Sequence, residues 1–137
     1  MTTLYVARSK GLSDWTGDVG LTKHVFKVGV AETSGKDAVQ ALNKRRAAGQ
    51  DDWTLLQEAD AGTLTEEQAL ARLAAREKTV DPAHYPRLKG EAGMVKIKPT
   101  NVENHIIVKR ALANEETLTV KVTNAEIAAY LIDTTLR

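Results

Sequence analysis

The chain has 137 residues, 42% hydrophobic and 27% charged, with a formal net charge of +1, 4% aromatics and no cysteine. Those values suit one globular domain of about 100–200 residues. They exclude disulfides, thiolate metal sites, a cysteine nucleophile and a global electrostatic field for nucleic acid, so any basic surface has to be local. No apolar run approaches the roughly 18 residues of a membrane span, and MTTLYVARSK has no signal-peptide core, so the expectation is a cytoplasmic protein without a membrane partner.

In chain order, LYVA (4–7) reads as a short strand. Residues 8–23 follow as a connector rich in Gly, Ser, Thr and Asp, and Trp15 at its centre is expected to fold back onto the body. A second strand covers 25–30 in HVFKVGV. In ETSGKDAVQALNKRRAAG, Ala38, Val39 and Leu42 lie at helical spacing. The Thr33-Ser34-Gly35 turn with Asp37 marks the start and Gly49 the stop. DWTLLQEA supplies a third strand, with Trp53 in the core.

TLTEEQALARLAAREKTV is the clearest helix. Thr65 with Gln68, or Thr63 with Glu66, forms a capping box, Leu64 staples onto Ala69, and Leu70, Leu73 and Ala74 make the buried stripe. Asp81-Pro82 ends it, and PAHYPRLKGEAG is a turn-rich connector. A short strand over 94–98 precedes TNVENHIIVKRALAN, read as a helix capped by Thr100 and Glu103, although Ile106, Ile107 and Val108 also suit a strand. Leu118, Val120 and Val122 alternate as a strand, and Thr123 with Glu126 caps a last helix. The expected fold is α/β of the α+β kind: a small, mainly antiparallel three-stranded sheet flanked by helices in β-β-α-β-α order. The chain is read as one domain, 1–137, with a core over 4–78 and a helix/strand/helix extension over 79–137.

Period two puts Phe26, Val28 and Val30 on the core face of the second strand, which leaves Lys27 and Gly29 on the other. Leu4 and Val6 likewise leave Tyr5 opposite. If the two strands pair, Tyr5, Lys27 and Gly29 share one surface, and the glycine leaves room for something to approach the backbone.

With a Tyr on a first strand, a hydrophobic-Gly pair ending the second, then a helix, a strand and a helix carrying Glu, the chain resembles the GIY-YIG nuclease superfamily over residues 4–76. TLYV is similar to its first motif and FKVGV to the Y-K-I-G variant of its second. The resemblance implies a DNA endonuclease in which a tyrosine helps to activate water, an arginine steadies the phosphate and a glutamate holds a divalent metal, usually magnesium. Phosphodiester hydrolysis needs such parts: a deprotonated nucleophile and positive charge against the developing phosphorane.

Carried over, Tyr5 matches the first tyrosine and Gly29 the motif glycine. Lys27 stands where the common form has its second tyrosine, and Phe26 takes the aromatic place of the variant without a hydroxyl. The arginine's place falls near Ala38, with Arg45 and Arg46 two helical turns on and one of them on Ala38's face. Glu67 or Glu66 is the implied metal ligand, with Glu103, near Asn101, Asn104 and His105, as the alternative. Lys44, Arg87 and Lys89 are candidates for substrate phosphates together with Gly29, and Lys96 and Lys98 extend the second basic stretch.

Each residue also has a structural reading. Acids in a first helical turn and cations in a last one complement the helix dipole, and a lone histidine without an acidic partner is poor support for zinc. Phosphate-binding, dinucleotide, metalloprotease and serine-hydrolase signatures are absent. Three functions fit: a magnesium-dependent DNA endonuclease, a non-catalytic nucleic-acid-binding module on the same scaffold, and a protein-interaction domain.

Overall fold

The computed structural model describes residues 2–18, 24–80, 93–97, 99–112 and 123–136. Alternation along β1 (Thr3–Ser9) and β2 (Val25–Ala31) divides their side chains between two cores. Leu4, Val6, Phe26 and Val28 enter one, and Tyr5, Ala7 and Val25 the other. The two strands pair antiparallel with Val6 opposite Val28. β3 (Trp53–Asp60) flanks β1 with a register shift between Val6 and Ala7.

β4 (Lys78–Thr79) and β5 (Met94–Lys96) complete an antiparallel five-stranded sheet in the order β3-β1-β2-β5-β4. The fold is therefore α+β, an open antiparallel sheet between helices, as the sequence predicts. Among the described residues the sheet has five strands rather than three, because segments assigned to a helix end and to the extension build onto the far edge of β2. A two-residue strand has no period to read.

Helices α3 (Glu66–Ala74), α4 (Pro99–Leu112) and α5 (Asn124–Leu136) supply the first core, so parts of 79–137 belong to the same core as 4–78. Thr65 and Gln68, not Thr63 and Glu66, form the capping box of α3. Its buried residues are Ala69 and Leu73; Leu73 is buried as predicted, whereas Leu70 is half-buried, Ala74 is exposed and Ala69 takes their place in the stripe. Leu64 joins Ala69 in that core. α3 stops before Asp81-Pro82, which lies outside the described residues. α4 is helical through Ile106, Ile107 and Val108 and already contains Thr100, which therefore does not cap it. Thr123 does cap α5, accepting from Glu126 N–H at 3.3 Å. The strand predicted around Leu118, Val120 and Val122 lies outside the described residues.

On the second face α1 (Lys10–Asp18), α2 (Gly35–Lys44) and a 3₁₀ turn (Ala47–Gly49) lie over the sheet. α1 occupies much of the segment read as a loop. Its weak apolar period is offset by a tertiary clamp: Ser9 Oγ accepts from Leu12 N–H, while the Asp52 carboxylate accepts from the Ser9 hydroxyl and from Gly11 N–H. Burial pushes Asp52 up, but the Ser9 and Gly11 donors, with its own backbone N–H and the Arg8 charge, together leave the carboxyl below its ordinary pKa. Trp15 packs against this second core, as expected. α2 is capped by Ser34 and ends at Lys44, before Gly49, because Arg46 turns left-handed at φ 50°.

Candidate functional site

Tyr5 and Gly29 are direct partners across β1 and β2, and Lys27 lies on the same face opposite Ala7. The space above Gly29 is taken by the tyrosine itself. A Cβ placed on Gly29 would lie 2.5 Å from Tyr5 Oη and 2.6 Å from Cζ, so the ring rests on the glycine backbone. Gly29 therefore seats the phenol rather than contacting a substrate, a correction to its predicted role. Nor is this sheet face open: α1 and α2 cover it, and Tyr5 and Lys27 are only 5% and 4% exposed.

Among the described residues a cavity of about 440 Å³ lies between β2 and α2. Asp37, Ala38, Ala41 and Arg45 reach it from one stripe of α2, at spacings of one, four and eight residues. Ala38 and Ala41 are too small to fill the gap between helix and sheet, which leaves room for Tyr5, Lys27 and Arg45 to border one space. Arg45, seven residues beyond Ala38, is the arginine that shares its face; Arg46, in the left-handed turn, does not line the cavity.

Glu66 comes to the cavity from the first turn of α3. β5 pairs with β2 only as far as Lys27, and beyond it Val28 N–H donates to Gly93 O and Val30 N–H to Glu66 Oε1 at 3.4 Å. That long bond satisfies a strand-edge donor and holds the carboxylate at the cavity rim. Gly93 is a further contributor the sequence reading missed. Its φ of 84° suits glycine, and a Cβ there would lie 2.4 Å from Val28 O and 2.9 Å from Lys27 Nζ, so the bare backbone makes room for the ammonium. The signal for it was the Gly in the turn-rich KGEAGM stretch.

The other candidates separate from this site. Glu67 and Lys44 are exposed and do not line the cavity, since neighbouring positions on a helix face different ways. Glu103 is exposed on α4, at the opposite sheet face. Its neighbours are engaged elsewhere: Asn101 donates to Glu77 at 3.0 Å, and His105 Nε2 lies 3.1 Å from Asp133 Oδ2. The acidic partner His105 lacks in sequence is thus supplied by α5. Arg87 and Lys89 lie outside the described residues. Asp37, read only as a helix-start acid, joins the site.

Among the described residues no cluster of three or more His, Cys, Asp or Glu is arranged to hold a metal. Two carboxylates, Glu66 and Asp37, border the cavity. Among the same residues no helix is long and apolar enough to cross a membrane. No family model, no curated protein and no solved structure matches the chain.

Proposed function

We propose that the protein is a small metal-dependent DNA endonuclease of the GIY-YIG kind, hydrolysing or nicking phosphodiester bonds at the Tyr5 cavity. One observation carries this reading: Tyr5, Lys27, Arg45 and Glu66, from four separate elements or their ends, border one cavity. In this reading Tyr5 Oη orients the attacking water, and Lys27 and Arg45 set positive charge against the phosphate oxygens. Glu66, with Asp37 nearby, holds magnesium, which when bound supplies further charge neutralisation at the phosphate. A chain without cysteine suits a reducing compartment, and we place the protein in the cytoplasm.

The non-catalytic binding module is favoured by a different observation. Ala38 occupies the arginine's place and Phe26, at 0% exposure, is wholly core, so two motif positions have no chemistry. Plasmid nicking with Mg²⁺ separates the readings. Wild type is expected to nick, with Tyr5→Phe and Glu66→Gln each slowing the reaction by about 10²-fold or more. Salt-sensitive DNA binding with no cleavage in any divalent metal establishes the module instead. Full activity in both variants would falsify the site assignment.

A further inference from the structure

β4 and β5 set two lysines where the sheet gains nothing from them. Lys78 stands directly opposite Lys96 in the antiparallel pair, and like charges so placed repel. Arg76, two residues before Lys78, brings a third cation, and all three line a second concavity of about 100 Å³ with Glu77 and Asn101. Glu77 does not discharge them. It is 5% exposed, and its Oε1 accepts from Tyr130 Oη at 2.7 Å and from Asn101 Nδ2 at 3.0 Å, which turns the carboxylate inward. Among the described residues Arg76, Lys78 and Lys96 make no ion pair.

Strand register relates Lys96 of this concavity to Lys27 of the Tyr5 cavity. Lys27 pairs with Met94 and Val25 with Lys96, so Lys27 and Lys96 are diagonal neighbours on one sheet face. Backbones at such positions lie about 7–8 Å apart. A basic row thus runs from Lys27 through Lys96 to Lys78 across β2, β5 and β4.

We propose that Arg76, Lys78 and Lys96 form a phosphate-binding subsite for a neighbouring backbone phosphate of the nucleic-acid strand whose scissile bond sits at Tyr5. This rests on the nucleic-acid reading above. The anion offsets the Lys78–Lys96 repulsion and supplies sequence-independent affinity that positions the strand.

The test is metal-free duplex DNA binding by fluorescence anisotropy across a KCl series, with wild type and the Lys78→Ala/Lys96→Ala double variant. Loss of one shared phosphate contact is expected to weaken low-salt binding about tenfold and to flatten the slope of log K against log[salt] by about 1. An unchanged slope and affinity overturn the proposal. A parallel arm titrates inorganic phosphate against chloride at matched ionic strength, following the backbone amide resonances of residues 78 and 96 and thermal melting. Phosphate is expected to shift those amides and raise the wild-type Tm. The double variant is expected to melt no lower than wild type in chloride, which shows that it folds, and to gain nothing from phosphate. If wild type binds phosphate there but no DNA, the anion site stands and the nucleic-acid reading falls. If neither ligand binds, both are rejected.

Discussion

The two faces of the sheet are built from the same alternation but to different ends. The face under α3, α4 and α5 is packed mainly by aliphatic side chains: Leu4, Val6, Phe26, Val28, Leu73, Ile127 and Leu131 are all at most 1% exposed. The face under α1 and α2 buries Tyr5 and Lys27 among Ala7, Val25 and Leu42, and where α2 presents Ala38 and Ala41 it leaves a cavity. Burying a lysine is unfavourable unless its ammonium keeps polar company, so a cavity edged by Asp37 and Glu66 suits it. The contrast separates a face that holds the fold from one that keeps space for chemistry.

Substitutions should expose that division through stability, with activity as the second readout. The largest effect is expected on the face under α3, α4 and α5, where Leu73→Ala should cost about 2–5 kcal/mol in denaturant unfolding. Any nicking should persist in the fraction that stays folded. If Leu73→Ala instead costs under about 1 kcal/mol, the first core is not closely packed.

Gly29→Ala comes next, at about 1–3 kcal/mol, because the added methyl meets the Tyr5 ring. Here activity should fall with stability, since the phenol is pushed off its seat. Retained nicking would separate the ring's position from the chemistry.

Tyr130→Phe removes the hydroxyl that donates to buried Glu77 and should cost about 1–3 kcal/mol at neutral pH. Burial, then the bond to the Glu77 carboxylate, pushes Tyr130 up to about 12. Because the folded value lies above the unfolded one near 10, its contribution is complete below about pH 10 and is lost as pH rises through 12. Melting temperature should therefore drop over that window in wild type and drop less in the variant; parallel curves would mean that Tyr130 does not titrate with folding.

The smallest stability change is expected for Ala41→Leu, within about 0.5 kcal/mol, because the position is exposed at the cavity wall. The larger side chain fills the cavity, so nicking should be lost while the fold is kept. A fully active Ala41→Leu protein would place the reaction elsewhere.

Elements with a strong period or a cap were legible before the structure. β1, β2 and β3, the turn that starts α2 and a capping box at the start of α3, with Thr65–Gln68 as one of two choices, announce themselves locally. α1 was not legible, because Lys10-Gly11 opens it and its N-terminus is secured by Asp52, more than forty residues away in sequence. β4 was hidden for the same reason, being a strand only by virtue of β5.

At the candidate site, alternation put Tyr5, Lys27 and Gly29 on one face once β1 and β2 pair, and helical spacing put either Arg45 or Arg46 on Ala38's side of α2, with the structure choosing Arg45. What lies above that face could not be read from periodicity, which reports direction but not distance. Only the packing of α2 and the first turn of α3 against the sheet decided that Glu66 and not Glu67 reaches the cavity. The β1–β2 register decided that Gly29 seats Tyr5, and the packing of α4 against α5 decided that His105 meets Asp133. Local backbone preference and period two determine which way each side chain faces; which side chains meet depends on how far each helix lies from the sheet, and that distance is set by residues remote in the chain.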